Sequence, residues 1–307
     1  MQNKVFSVLN YVGHKSKIIE TINQHLPQTI NGVFWDMFSG SGVVGLSIDH
    51  LSVEFVDSNE HLQHFMQNLS DEDFIKKTET ILSNYGFTNS SRTPRSEYLK
   101  DPKIGTCTWH GKTVPNMHLD ALNKGSYFCL LRDYNAGKFS NLEKACCYYI
   151  LTIYGRNSYV SVNKSGGLSG GIGPLDFGPR AKKKVKKYQE IIELKKCSFH
   201  AGKYSDFNPG EDDFVYMDPP YLASGFSYGG WADKEEKELL DWIDNLPCDW
   251  ALSNVFISGK KSNDILQAWA KTKTVVHIKK SYRKWASKGK SSATKKTKEN
   301  QEVLILP

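Results

Sequence analysis

A chain of 307 residues with 39% hydrophobic and 24% charged residues has the composition of a water-soluble globular protein, with room for one large domain or a core plus an insertion. No apolar run is long enough to cross a bilayer and MQNKVFSVLNYVGHKSK lacks the apolar centre of a signal peptide, so no membrane is expected and the cytoplasm is the expected compartment. The formal charge of +7 is local: RAKKKVKK (180–187) has six bases in eight residues, and Lys279–Lys298 has nine bases and no acid, blocks that face either a polyanion or plain solvent.

In chain order, KSKIIETINQHL (15–26) has its apolar residues at helical spacing before Pro27. GVFWDMF reads as a buried strand, followed by a glycine loop and a helix through VVGLSIDHL (43–51). VEFVD (53–57) is a second strand, and DEDFIKKTETILSNYGF (71–87) opens on acids and closes on Gly86, as a capped helix does. Strand–helix–strand–helix order implies a doubly wound parallel sheet.

Residues 88–197 break that alternation. They hold the polar stretch TNSSRTPRSEYLKDPK, the helical run LEKACCYYILTIYG and the loop NKSGGLSGGIGP, and they read as an inserted subdomain. The sheet resumes with the strand DDFVYMD (212–218), the helix KEEKELLDWIDNL, the strand DWALSN (249–254) and the helix SNDILQAWAKT (262–272). TVVHIKK and EVLILP finish it, with a Lys/Ser/Thr-rich loop at 284–298 between them. The expected domains are therefore 1–87 with 198–307 as a discontinuous core, and 88–197 as the insert. The six cysteines contain no C-x-x-C pair, so neither a disulfide frame nor a metal site is expected.

Gly40, Gly42 and Gly45 in DMFSGSGVVG have the G-x-G-x-x-G spacing of a nucleotide-binding loop, and Asp57 ends the next strand, where ribose hydroxyls are held. Asp36 decides between ligands. A carboxylate just before the loop repels a pyrophosphate and attracts an ammonium and a sulfonium. S-adenosylmethionine is an adenosine with both and with no phosphate. Phe38, Ser39 and Ser41 leave room for the backbone to close over its methionine part.

The second motif is Asp218-Pro219-Pro220-Tyr221, at the carboxyl end of an apolar strand. An exocyclic aromatic amine is a poor nucleophile because its lone pair is delocalised into the ring. Two acceptors aimed at its protons free that pair. The Asp218 carboxylate is one, the Pro219 carbonyl on a proline-stiffened backbone is the other, and Tyr221 stacks on the base. The reading requires Asp218 and the Gly40–Gly42 turn to share one cleft.

With both motifs in place, the sequence resembles the Dam-like (D12 class, alpha group) DNA adenine-N6 methyltransferases. NYVGHK resembles the family's amino-terminal motif, which implies that Tyr11, Gly13 and Lys15 line the cofactor pocket. Lys15 also has a base within the range of its possible partners. DMFSGSG, FVDSN and GKYSDF resemble cofactor segments, implying cofactor contacts from Asp57, Asp206 and Phe207 and from Asp218 itself. The resemblance implies a Rossmann-like S-adenosylmethionine-dependent sheet with a mostly helical target-recognition insert.

Within the insert, YGRNSYVSVNKSGGLSGGIG is similar to a DNA-contacting segment, which puts Arg156, Asn157, Tyr159, Asn163 and Lys164 on DNA. Arg156, Tyr159 and Ser161 depart from the family pattern, and these departures bear on GATC recognition, not on the chemistry. Lys279, Lys280, Arg283 and Lys284 are expected at phosphates. The implied substrate is double-stranded DNA with the adenine flipped out of the helix, helped by Tyr221 and by Phe226, Tyr228 or Trp231. The implied setting is a bacterial or phage cytoplasm, with a cognate restriction enzyme as partner and a monomeric enzyme. RNA or another amine as substrate, and a catalytically silent DNA-binding module, stay open. A nicotinamide dehydrogenase leaves the tetrad unexplained.

Overall fold

A computed structural model of the chain describes residues 7–9, 15, 18–27, 29–88, 106–109, 112–115, 120–223, 230–278 and 300–307, with backbone only at 106–109, 112–115 and 120–121. In chain order the elements are α1 (Ile19–His25), β1 (Phe34–Met37), α2 (Val43–Ser47), β2 (Ser52–Asp57), α3 (Glu60–Asn68) and α4 (Phe74–Asn84). A hairpin, β3 (Thr106–Trp109) and β4 (Lys112–Pro115), precedes α5 (Asp120–Asn135) and α6 (Asn141–Ile153). A second hairpin, β5 (Ser161–Val162) and β6 (Leu168–Ser169), leads to α7 (Pro179–Glu193) and β7 (Lys196–Ala201). The chain ends with β8 (Phe214–Met217), α8 (Asp233–Asp244), β9 (Asp249–Ser258), β10 (Lys261–Ser262), α9 (Asp264–Trp269), β11 (Thr274–Ile278) and β12 (Gln301–Leu306).

One sheet runs β11-β12-β9-β8-β1-β2-β7, with the short β10 paired to β9. β9, β8, β1, β2 and β7 are parallel, and β12 is antiparallel to both of its neighbours. The chain winds from β1 toward β7 and later from β8 toward β11, so its direction reverses between β1 and β8. That is where an open α/β sheet has a crevice at its carboxyl edge. Register makes the edge flush there, with Met37 opposite both Val56 and Met217.

Both faces of the sheet are buried, and the strand residues alternate between two cores. Phe34, Val53, Phe55 and Tyr216 join one cluster, and Met37, Val56, Val215 and Met217 the other. α8 and α9 cover the second face with Leu239, Leu240, Ile243 and Leu266. The first cluster continues without a break into Tyr127, Leu130, Cys146–Leu151, Val185 and Tyr188, so α5, α6 and α7 share a core with the sheet.

Several elements differ from the sequence expectations, among them α5 and the two hairpins within the insert, which were not expected. α2 stops at Ser47 rather than reaching Leu51, because Ile48 turns to extended backbone (ψ 153°). α3 and β7 were not expected. β7 begins at Lys196, two residues before the expected boundary, and pairs with β2 as the edge strand. No described helix is long and apolar enough to cross a membrane.

Candidate active site

The loop after β1 takes left-handed backbone at Phe38 (φ 59°), Gly40 (φ 51°) and Gly42 (φ 67°). Glycine meets that demand at two positions without a Cβ clash, and Phe38 meets it as a strained exception. Gly45 has a different reason. A Cβ there would lie 2.6 Å from the Phe55 ring and 2.8 Å from Val53, so its absence lets α2 touch β2. The loop is braced by Ser39 N–H to the Val56 carbonyl (2.9 Å) and Gly42 N–H to the Ser39 carbonyl (2.8 Å). Gln63 of α3 also donates to Ser39 Oγ at 3.0 Å.

Two carboxylates sit under this loop. Asp36 is 2% exposed and accepts the Gly45 N–H at 2.9 Å. Burial holds its pKa well above the usual range, and the Asp218 and Asp57 carboxylates add to that rise against the Gly45 N–H and Lys15. Asp57 accepts the N–H groups of Gly40 and Asn59, each at 2.9 Å, and burial raises its pKa as well.

Asp218 follows β8, and its N–H donates to the Met37 carbonyl at 3.3 Å, so the tetrad and the glycine loop start side by side at the carboxyl edge of two adjacent strands. Within the tetrad, Tyr221 Oη donates to Asp218 Oδ1 at 2.7 Å. Lys15, 4% exposed, donates from Nζ to Asp218 Oδ2 at 2.5 Å and to Tyr221 Oη at 2.6 Å. The sequence placed Lys15 at the cofactor or a base; here it bonds two members of the tetrad. Pro219 is buried and Pro220 half-buried.

Aromatic rings extend from this edge. Phe38 packs on Tyr204 (5.3 Å) and edge-on against Trp231 (5.7 Å), and Tyr204 on Trp242 (5.1 Å). Asp206 is exposed as the last residue of the short turn Tyr204–Asp206 and accepts the Lys203 N–H at 2.8 Å, while Phe207 packs against Trp35 and His200. The Trp231 indole N–H donates at 2.7 Å to Glu236, a fully buried carboxylate that also accepts from Asn263 (2.6 Å) and Asn254 (3.4 Å). Glu236 escaped the sequence reading, although its spacing with Leu239, Leu240 and Ile243 puts it on the inner stripe of α8.

The β5–β6 hairpin carries Asn163 and Lys164, both exposed, and Arg156 and Asn157 are exposed just before it. Asn163 Oδ1 accepts from Ser165 N (3.0 Å), Ser165 Oγ (2.7 Å) and Gly167 N (3.0 Å), so it also shapes the turn. Tyr159 is half-buried, and burial raises its hydroxyl pKa. His61, two residues past Asn59, bonds the Gly166 carbonyl (2.8 Å) and Tyr134 Oη (2.9 Å), tying the hairpin to α3 and α5. A concavity of about 430 Å³ lies under the hairpin, lined by His61, Tyr134, Lys144 and Asn163, away from the tetrad. Tyr11, Gly13, Lys279, Lys280, Arg283 and Lys284 lie outside the described residues, as do Phe226 and Tyr228.

A mostly parallel sheet with a glycine loop and an acidic tetrad at one carboxyl edge defines a Rossmann-like methyltransferase. The chain matches the D12 class N6 adenine-specific DNA methyltransferase family over residues 11–288 and belongs to that family. It is 27% identical over 317 residues to the type II methyltransferase M.FokI of Planomicrobium okeanokoites and 29% identical over 316 residues to the modification methylase StsI of Streptococcus sanguinis. Each match covers 97% of this chain and 42% of the relative, so the chain spans less than half the length of either.

Proposed function

We propose that the chain transfers a methyl group from S-adenosylmethionine to the N6 amine of an adenine flipped out of double-stranded DNA. The observation that carries this reading is the contact of Asp218 and Tyr221 with the Lys15 ammonium, beside a loop floored by Asp36 and Asp57. A nitrogen with N–H donors is already bonded to the acceptor that an amine needs. Three clustered carboxylates against one ammonium leave a cleft that favours a cation.

Asp36, the Phe38–Gly42 loop and Asp57 would hold the cofactor, with Asp206 and Phe207 toward its adenine. Bound there, S-adenosylmethionine supplies a methyl group on a positively charged sulfur. Asp218 and the Pro219 carbonyl would accept hydrogen bonds from the two amine N–H groups and offset the positive charge that develops on nitrogen, which sheds one proton once the methyl group has transferred. For this to happen Lys15 must yield one oxygen of Asp218 to the incoming base. Tyr221 presents its ring to that base once its hydroxyl is released. Flipping the adenine costs a few kcal/mol, of order 3, and aromatic contacts offset it.

Exposed Arg156, Asn157, Asn163 and Lys164, with Tyr159 behind them, would read the duplex from the segment 156–164, and Lys279, Lys280, Arg283 and Lys284 would meet phosphates. The names of the two relatives favour a restriction–modification setting with a cognate nuclease. The test is expression in a methylation-deficient host followed by genome-wide mapping of N6-methyladenine. Wild type should modify one recurrent sequence, and Asp218→Ala should lower transfer by roughly 10²-fold or more. A genome without new modified adenines would defeat the assignment, and preferred labelling of RNA oligonucleotides would redirect it.

A further inference from the structure

α7 carries its charges in the wrong order for a helix built only to be stable. A helix amino terminus is the positive end of the macrodipole and favours acids, and the carboxyl terminus favours bases. α7 has no acid in its first turn and no base in its last; Arg180, Lys183 and Lys186 stand exposed in its first half, and Glu190 and Glu193 stand exposed in its second. The same chain follows the ordinary rule in α8, which opens on Asp233, Glu235 and Glu236.

The inner face of α7 accounts for some of its bases and not for these. Val185 and Tyr188 are buried, Lys182 pairs with Glu79 at 2.5 Å, and Gln189 donates to the Leu69 and Asp71 carbonyls. Arg180, Lys183 and Lys186 have no carboxylate partner among the described residues. Crowding is felt next door, where burial and the Arg180 charge lower the Lys184 pKa.

Position supplies the second argument. α7 leads into β7 through Leu194 and Lys195 alone, so it runs antiparallel to that strand. Its 15 residues span roughly 22 Å and the 6 residues of β7 roughly 20 Å. The basic end of α7 is therefore level with the carboxyl edge that holds Asp57, Gly40 and Asp218, and its acidic end lies at the opposite edge. Laterally, β7 is three strands from β8 in the sheet order, about 14 Å.

We propose that the amino-terminal half of α7 is a second DNA-contact surface, with Arg180, Lys183 and Lys186 on phosphates that flank the target base by roughly four base pairs, at 3.4 Å per step. This rests on the reading of duplex DNA as the substrate. The helix gives up stability to keep these bases where a duplex crossing the carboxyl edge would meet them.

The test is the triple variant Arg180→Ser, Lys183→Ser, Lys186→Ser in the full chain, titrated with a fluorescent duplex across a salt series. The proposal expects a tenfold or greater loss of affinity at 100 mM salt. It also expects a fall of about two to three units in the slope of log K against log salt, near 0.9 per lost contact. Removing bases from the positive end of the helix should raise Tm. Trimming the flank of the duplex should cost wild type affinity and leave the variant unaffected.

A wild-type slope in a variant that folds overturns the proposal, as does a lowered Tm with the slope intact, which would make these bases structural. If wild type itself shows no salt-dependent duplex binding, the substrate reading has failed instead.

Discussion

A carboxyl group as buried as Asp36 keeps its proton to higher pH than it does in the unfolded chain. As pH rises through the ordinary carboxylate range the unfolded state loses this proton first, so stability falls from there up to the folded-state value and stays low above it. Asp36→Asn keeps an acceptor for the Gly45 N–H and removes the charge. It should raise Tm at pH 7 and flatten the pH dependence of Tm in the absence of cofactor, while weakening S-adenosylmethionine binding tenfold or more. Thermal melts from pH 4 to 8 beside calorimetric titrations check both halves, and a lower Tm at pH 7 would contradict the argument. Lys15 gives a second case. Lys15→Met strips an almost buried ammonium from Asp218 and should cost about 3 kcal/mol. Adding Asp218→Asn should restore part of that loss, which a denaturant-melt cycle would measure. The tetrad was legible because Asp-Pro-Pro-Tyr is local. The partner of Lys15 was not, because 203 residues separate it from Asp218.

Elements were legible where burial follows a simple period. β1 and β8 read as apolar runs because both of their faces are covered, and α6 reads as apolar all round because Ala145 through Leu151 are buried on every side. α3 was hidden because two of its inner positions are polar. His61 and Gln63 are 7% and 3% exposed, and they spend their polarity on the Gly166 carbonyl and on Ser39 Oγ. β7 was hidden because an edge strand is only half-buried and shows no alternation. At the α2–β2 contact, Gly45→Ala would push a methyl group into Phe55 and Val53, overpacking that costs about 1–3 kcal/mol. A shift in the urea midpoint reports it. Glu236→Gln is the matching test for α8. Two amide donors, from Asn254 and Asn263, converge on Glu236 Oε1, and a glutamine cannot accept from both while satisfying the Trp231 indole as before. A cost of about 1–3 kcal/mol is expected, with loosened packing of Trp231 on Phe38 seen as a rise in the cofactor KM.

Across the whole molecule, charge is sorted by depth. Among the described residues the bases Arg180, Lys183 and Lys186 of α7 are exposed, whereas Asp36, Glu236 and Glu302 are buried and Asp57 and Asp218 are partly covered. Glu302 reaches the tetrad electrostatically, helping to raise the Tyr221 pKa after burial and Asp218. An acidic interior under a basic exterior suits two ligands of opposite sign, a small cation held inside and a polyanion held outside. Salt should therefore separate them. Six to ten phosphate contacts lose roughly 10³- to 10⁵-fold in affinity between 50 and 200 mM salt. Counter-charges buried under a loop are screened far less by ions whose Debye length is about 10 Å, so the cofactor Kd should move by less than about threefold over that range. Labelled cofactor and a fluorescent duplex titrated through one salt series make the comparison directly. A cofactor Kd that followed the DNA would mean that Asp36 and Asp57 act from solvent, and the cleft at the β1–β8 reversal would not be the seat of the cation.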